Sequence, residues 1–244
     1  MDEPIDTSFD MRSDTPNGKD PDSHSPTLRK YHRALWSKPL PGGALFDLSA
    51  SKPGVYLHHT SELGEFRLSS DTVIRTFKRV RRASGVISQI PVEEQEAFSR
   101  LGYSIGGMMI FPGNRIKGKW TINQTRGMTR SIDDRFDLTL ECIRRHYAGL
   151  ASPLSDVLAR YSRFFDLFVD FRGYVDYFLL QDLVTPEYGA VLFFSDFDDF
   201  ATAALPATLA EYEAYRTLTI KFVKARNARI EAYAGLAASS ETPG

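Results

Sequence analysis

The apolar residues change their spacing halfway along the chain, and this change constrains the fold more than any other feature. Between residues 44 and 69 they form short runs bounded by turn-forming residues, a pattern typical of strands, and residues 103–111 are predicted as a further strand after two short helices. From residue 131 onward they recur at helical spacing. Because strands do not alternate regularly with helices, we predict an α+β fold in which an antiparallel or mixed sheet from the first half packs against helices of the second half.

The two ends of the chain differ in composition from its middle. Residues 1–26 are rich in Asp, Ser and Pro and hold only isolated apolar residues, so we predict a disordered acidic arm. Ser25 and Pro26 then provide a cap and a first position for a helix. We expect residues 27–234 to form a single α+β domain and residues 235–244 to fray.

Cysteine usage and the apolar segments exclude two classes of protein. The 244-residue chain has a single cysteine, Cys142, so it holds no intrachain disulfide framework. We find no secretory leader pattern, and we therefore expect a cytoplasmic protein. Asp and Arg interrupt the apolar segments between residues 164 and 180, which predicts that no helix spans a membrane and that the protein has no membrane partner.

The formal net charge of −1 conceals a strong segregation of charge along the chain. Residues 66–146 contain 15 basic and 8 acidic residues, whereas residues 147–200 contain 3 basic and 9 acidic ones. The whole-chain charge is therefore a poor guide to binding partners. Two interpretations remain open, since the basic segment could bind an anionic ligand or could pair with the acidic segment inside the fold.

Five cations lie in or beside predicted turns, among Gly113, Gly118 and Gly127. Guanidinium groups bind phosphate oxygens in pairs and glycines let the backbone approach, so this pattern suits a phosphate site, with a solvated hairpin of ordinary surface charges as the alternative. We expect residues 119–123 to form a strand in this hairpin. Trp120 is a candidate for stacking on a base, although packing explains it as well. The five predicted phosphate ligands are Arg115, Lys117, Lys119, Arg126 and Arg130.

A capped amphipathic helix is predicted from Ser131 to Tyr147. Its last turn carries Arg144, Arg145 and His146, which we predict as catalytic groups for charge stabilisation and proton transfer. Cys142 and His146 share a helix face, the spacing of a nucleophile with its base or of two metal ligands. A structural thiol is the stronger interpretation, because Cys142 lies beside the apolar stripe.

Aspartates are frequent in the second half of the chain, and they leave metal use open. Hard cations need several oxygen ligands within a few ångströms, so these residues could serve two-metal phosphoryl hydrolysis. Solvated or ion-paired carboxylates are the simpler explanation. The residues concerned are Asp166, Asp170, Asp176, Asp182, Asp196, Asp198 and Asp199.

The chain also resembles an uncharacterised bacterial family catalogued as a domain of unknown function. The resemblance spans residues 27–230 and implies a bacterial intracellular protein. It transfers no activity, fold or catalytic residue to this chain. It rests on five strings: LWSKPLP, LGEFRLSSD, GGMMIFPGNRIKGKWTIN, DRFDLTLECIRRHY and GYVDYFLLQDLV.

Two functions from different classes follow from these observations. The first is a protein that handles a phosphate-bearing ligand, such as RNA, DNA or a nucleotide, as a hydrolase or a transferase. The alternative is a non-catalytic module that binds a protein partner through segregated acidic and basic surfaces, with residues 1–26 as a docking arm.

Overall fold

The computed structural model describes residues 5–17, 19–62 and 64–240, with side chains through residue 236. Within these residues an antiparallel sheet forms in the first half of the chain and most helices follow it, which confirms the α+β prediction. The strands are β1 (Leu57–Ser61), β2 (Gly64–Thr72) and β3 (Met108–Pro112), in that spatial order. The α-helices are α1 (Pro21–His24), α2 (Pro26–Trp36), α3 (Ser84–Ile87), α4 (Val92–Gly102), α5 (Ile122–Met128), α6 (Phe136–Tyr147), α7 (Ser155–Arg160), α8 (Ser162–Phe165), α9 (Phe171–Tyr177) and α10 (Leu209–Ser240).

The central strand β2 has two different faces because successive side chains in a strand point to opposite sides. Leu68 pairs with Leu57 of β1 and with Pro112 of β3, which fixes the register. Phe66 and Leu68 are buried in the core on one side. The alternate positions of β2 carry polar side chains on the other side, namely Arg67, Ser69 and Asp71.

A buried arginine attaches the long C-terminal helix α10 to the rest of the fold. Arg226 is fully buried and donates hydrogen bonds to the carbonyl oxygens of Gly106 (3.0 Å), Met108 (2.8 Å) and Phe178 (3.0 Å). Burial lowers the pKa of Arg226 to about 10. Three carbonyl dipoles thus satisfy a buried charge that has no carboxylate partner within hydrogen-bonding distance in the described chain.

The predicted hairpin strand at residues 119–123 is wrong, because a helix begins there instead. The side chain of Thr121 accepts a hydrogen bond from the backbone of Gln124, and the side chain of Gln124 accepts one from the backbone of Thr121. This capping box starts α5 at Ile122. The helix predicted to begin at Ser131 likewise starts later, at Phe136.

The described part of the N-terminal arm packs on the domain, unlike the disorder we expected for residues 1–26. Met11 is fully buried, and its backbone N–H donates to the carbonyl of Tyr103 at 3.0 Å. Asp14 accepts hydrogen bonds from the Ser25 hydroxyl (2.6 Å) and the Thr27 backbone (2.8 Å). Asp14 of the arm therefore finds internal donors, which composition alone does not reveal.

At the other end, α10 continues through Ser240, so the helix includes much of the segment in which we expected fraying. Residues 241–244 of that predicted tail lie outside the described residues. Among the helices that the structure describes, none combines the length and apolar character needed to cross a lipid bilayer.

Candidate functional site

Most of the predicted phosphate ligands lie on one exposed loop after β3, which we call the basic loop (residues 114–120). Arg115, Lys117 and Lys119 are exposed on it, and Arg130 is exposed beyond α5. Trp120 closes the loop with half of its surface exposed, and its carbonyl accepts a hydrogen bond of 2.9 Å from Arg160. These residues can reach a ligand from solvent.

Arg126 differs from the other predicted ligands because it is fully buried in an internal network. Its guanidinium donates to the carboxylate of Asp71 (2.7 Å), the hydroxyl of Thr139 (2.8 Å) and the carbonyl of Asp134 (3.1 Å), and it lies over the ring of Phe111. A desolvated guanidinium needs such partners. The structure thus places Arg126 inside the fold, away from the exposed cations with which we grouped it.

The predicted catalytic arginines both pair with a neighbouring carboxylate on α6. Arg144 donates two hydrogen bonds to Glu141, at 2.7 and 2.8 Å, and Arg145 donates one at 2.8 Å. Arg145 also forms an ion pair with Asp199. These contacts give both guanidinium groups a structural role in holding the C-terminal end of α6.

His146 and Cys142 do not form a nucleophile and base pair. Burial raises the pKa of the Cys142 thiol to about 12, so it stays protonated at neutral pH. Burial lowers the pKa of His146, whose ring centroid lies 5.2 Å from that of Phe165. The imidazole is therefore a neutral ring packed on an aromatic one.

The two predicted clusters lie toward opposite ends of α6. Arg126 contacts Thr139 near the start of this helix, while His146 is seven residues further on, which corresponds to about 10 Å along the axis. Arg126 and His146 therefore do not contact each other in the described structure.

A basic groove runs across the molecule where sequence reasoning predicted no site. It consists of two adjoining clefts, of about 780 and 920 Å³, which share Ser23, His24, Arg29 and Tyr56 in their walls. Among the described residues, no Asp or Glu lines either cleft. The basic residues that line the groove are Arg29, Lys30, Arg33, Lys52 and Arg67.

The groove arginines are only partly satisfied by the protein. The buried Nε of Arg29 has no hydrogen-bond partner among the described residues, and its guanidinium lies 5.9 Å from the ring centroid of Tyr56. Arg33 donates to the hydroxyl of Ser51 at 3.0 Å. Burial is the main cause that lowers the pKa of Arg33; the positive charge of Arg29 adds to this effect and the carboxylate of Asp47 opposes it.

Carboxylates outside the lining offset part of this charge, among them Asp47, which acts on Arg33. Glu65 forms an ion pair with Lys52 and lies 3.7 Å from the Nε of Arg67. Its single charge is shared with His58, whose ring nitrogen is 3.2 Å away. The side chains that line the groove thus carry a positive charge that carboxylates outside the lining partly balance.

A local signal for this groove is present in the sequence. Arg29 and Arg33 are spaced i, i+4 on α2, beside the buried stripe of Leu28, Leu35 and Trp36. Helical spacing predicts that they share a polar face. The loop that faces them and completes the groove is not predictable from this spacing.

A polar centre of Asp22, Asp71, Asn123 and Arg126 adjoins the groove. Asp71 lies two residues beyond the groove residue Ser69 on the same face of β2. Asn123 donates hydrogen bonds of 3.3 Å to the Ser69 hydroxyl and the backbone carbonyl of Ser70. The buried Oδ1 atoms of Asp22 and Asn123 have no hydrogen-bond partners in the described structure.

Burial dominates the protonation of this centre. It raises the pKa of Asp71 to about 7, because the charge of Arg126 only partly offsets the loss of water. Burial, together with the negative charge of Asp71, also raises the pKa of Asp22 well above its usual range. The centre therefore holds carboxyl groups that accept protons more readily than exposed aspartates.

Several of the aspartates considered as metal ligands are engaged in separate structural contacts. Asp170 caps α9, Asp182 pairs with Arg229 at 3.0 Å, and Asp198 accepts hydrogen bonds from Thr202. Across the described ranges, no three His, Cys, Asp or Glu residues converge closely enough to hold a metal ion. The residues described thus offer no preformed metal centre of that kind.

The basic and acidic segments contact each other very little through ion pairs. Arg75 pairs with Asp133 and Asp134, and Arg126 pairs with Asp71, all within residues 66–146. Among the ion pairs that the described residues form, only Arg145 with Asp199 joins that segment to residues 147–200. Internal pairing between the two segments therefore does not explain their opposite charges.

Comparisons with known proteins add a family to this description. No curated protein and no solved structure matches the chain. A family model covers residues 5–230, from the N-terminal arm through most of α10, and so includes the groove, the polar centre and the basic loop. The chain belongs to a family of unknown function, DUF6994.

Proposed function

We propose that the protein binds a phosphate-bearing ligand, such as RNA, DNA or a nucleotide, in the basic groove. The observation that carries this proposal is the composition of the groove wall, whose described residues include five Lys or Arg and no carboxylate. Like charges repel one another across such a wall, and an anion relieves that repulsion. Phosphate is an anion that guanidinium groups bind well in pairs.

Neutral groups along the groove suit the same ligand. Ser23, Ser51 and Ser69 line it, and Gly113 packs closely against Ser69 in the same wall. Hydroxyl and backbone N–H groups contribute many of the phosphate contacts made by nucleic-acid-binding proteins. The groove thus combines charge with directional donors.

Aromatic residues near these cations favour a ligand that carries bases. Tyr56 lines both clefts of the groove beneath Arg29, and Trp120 is exposed at the end of the basic loop. The loop follows directly on Gly113, which is part of the groove wall. Flat rings among cations provide the stacking surfaces that single-stranded nucleic acids use.

A hydrolase or transferase acting on this ligand needs a group that exchanges a proton near neutral pH. Asp71 is our candidate, since its pKa of about 7 matches that requirement and it lies two residues along β2 from Ser69, which lines the groove. Asp71 replaces His146 in this role because the histidine is packed on Phe165. The Arg126 contact keeps the Asp71 carboxyl fixed in position.

The alternative, a non-catalytic module that docks a protein through a free acidic arm, has weaker support. The acidic residues Asp10 and Asp14 of that arm bind Arg12, Ser25 and Thr27 of the same chain. A free docking arm would leave them accessible to a partner.

Fluorescence anisotropy with labelled oligouridylate and oligothymidylate of about twelve nucleotides tests the proposal, with ATP as a competitor. We expect binding at low salt and a loss of about tenfold or more in affinity for the double variant Arg29→Ala with Arg67→Ala. Arg79→Ala is the matched control, because Arg79 is exposed but lines neither cleft. Equal affinities for both variants, or no binding of any of the three probes at low salt, would overturn the proposal.

A further inference from the structure

A second cavity, of about 300 Å³, lies away from the groove between the loop of residues 195–206 and the start of α10. One side of this cavity is apolar, and its volume is at the lower end of small-molecule sites. The aromatic and aliphatic side chains that line it are Phe77, Leu138, Phe197, Phe200 and Tyr215.

Carboxylates occupy the polar side of this cavity. Asp196, Asp198 and Glu211 line it and are exposed to solvent. Asp196 has no hydrogen-bond or ion-pair partner within the described ranges, so its charge is available to a ligand. Asp198 keeps its charge because hydrogen bonds from Thr202 lower its pKa.

The cation described in the cavity wall is already neutralised. Arg135 is buried and donates to the carboxylate of Asp137 at 2.5 and 3.2 Å, while its Nη1 donates to the Ser195 hydroxyl at 2.6 Å. Asp137 itself is fully buried. The cavity therefore presents a net negative charge beside its aromatic wall.

The loop that forms the wall is held in an unfavourable backbone conformation. Asp199 and Phe200 have φ angles of 57° and 64°, and Phe77 across the cavity has 57°, a region that bulky residues seldom adopt. Arg145 stabilises the loop by pairing with Asp199, and its guanidinium lies 5.0 Å from the ring centroid of Phe200. The fold thus maintains the cavity against local backbone preference.

We propose that this cavity binds a small organic cation, an amine with an aromatic or aliphatic body. Its ammonium group would donate to Asp196 and Glu211, and its body would pack on Phe77 and Phe200. Ammonium groups bind carboxylates through short charge-assisted hydrogen bonds and are attracted to aromatic faces. The site is independent of the basic groove, whose charge is of the opposite sign.

Isothermal titration calorimetry with phenethylammonium tests this inference, with 3-phenylpropionate as a probe of similar body and opposite charge. We expect the amine to bind and the carboxylate not to bind. Asp196→Asn should weaken amine binding about tenfold, because it removes a charged hydrogen-bond partner. Glu213→Gln is the matched control, since Glu213 is an exposed carboxylate of α10 that does not line the cavity.

A second variant tests the role of the cavity volume without changing the charge of the cavity. Ala203 lines the cavity and is partly exposed, so Ala203→Leu should fill space without altering any carboxylate and should abolish amine binding. Thermal unfolding of each variant verifies that the fold is intact. Absence of amine binding at millimolar concentration, equal binding of both probes, or unchanged binding in Asp196→Asn would each overturn the inference.

Discussion

The basic groove and the smaller acidic cavity differ in both charge and construction. The groove is wide, lined by five Lys or Arg residues, and built largely from the first half of the chain. The cavity holds three exposed carboxylates against aromatic rings and draws most of its wall from residues 195–215. A protein with a net charge of −1 thus carries two concave surfaces of opposite sign, which whole-chain charge cannot reveal.

The two surfaces also differ in how the fold supports them. The groove residues Arg29 and Arg33 extend from a regular helix, α2, whose cap and buried stripe are locally encoded. The cavity depends on an irregular loop with positive φ angles at Asp199 and Phe200. We infer that the groove tolerates substitutions in its wall better than the cavity does.

Removing the buried arginine tests most strongly whether the groove and the polar centre are distinct. Arg126→Ala leaves the carboxyl of Asp71 buried without its partner, so we expect a decrease of about 3–5 kcal/mol in the free energy of unfolding, measured with urea. Arg115→Ala, on the exposed basic loop, should change it by less than about 0.5 kcal/mol. A stable Arg126→Ala protein that no longer binds oligonucleotides would instead place Arg126 in the groove.

The polar centre also predicts the pH dependence of stability. The folded-state pKa of Asp71 is raised, so its contribution is complete below the unfolded-state pKa near 4 and is lost as the pH rises through about 7. The free energy of unfolding should fall across this window by up to about 1.4 kcal/mol per pH unit for this proton.

Urea unfolding at pH 5 and pH 7 measures this slope, with Asp71→Asn as the comparison. The variant should lack the part of the slope due to Asp71. Asp198 beside the cavity has a lowered pKa and acts in the opposite sense, since its contribution is lost as the pH falls through its folded-state pKa. An identical slope in Asp71→Asn and the unsubstituted protein would contradict the protonation that we assign to the centre.

The two surfaces should respond separately to charge removal. The double variant Arg29→Ala with Arg67→Ala should weaken oligonucleotide binding about tenfold and leave phenethylammonium binding unchanged. Asp196→Asn should weaken phenethylammonium binding about tenfold and leave oligonucleotide binding unchanged. Anisotropy and calorimetry on the same protein preparations provide the two readouts. A variant that weakens the binding of both ligands would indicate either a shared site or a damaged fold. Thermal unfolding distinguishes these two explanations.

The smallest expected effect concerns the support of the cavity loop. Arg145→Ala removes a partly exposed ion pair with Asp199 and a ring contact with Phe200, so phenethylammonium affinity should fall about threefold. Arg144→Ala is the control, because Arg144 binds the same Glu141 but forms no ion pair with the described residues of that loop. If Arg145→Ala instead abolishes oligonucleotide binding, the result would support the role in phosphate chemistry that we first predicted for it.

Local signals in the sequence predicted those elements whose determinants lie within a few residues. Ser25 accepts a hydrogen bond from Leu28, and Pro26 occupies the first helical position, so the start of α2 could be read directly. The spacing of the apolar residues also predicted that the strands precede most of the helices. The strand predicted at residues 119–123 failed because the Thr121 and Gln124 capping box was not recognised.

The roles of the arginines could not be predicted, because they depend on distant parts of the chain. Arg126 donates to the carboxylate of Asp71, which lies 55 residues earlier in the chain. Arg226 donates to the carbonyl of Gly106, 120 residues before it. Nothing in their neighbouring residues distinguishes them from the exposed Arg115. The groove likewise forms only when α2 meets the loop before β1 and the strand β2.

The salt dependence of oligonucleotide affinity tests the central claim most directly. We predict that the logarithm of the association constant falls linearly with the logarithm of salt concentration for the unsubstituted protein. Each phosphate that the Arg29→Ala and Arg67→Ala double variant no longer binds should make the slope shallower by about 0.7, while Arg79→Ala should leave the slope unaltered. An affinity independent of salt, or a slope that is the same in all three proteins, would contradict a phosphate site in the basic groove.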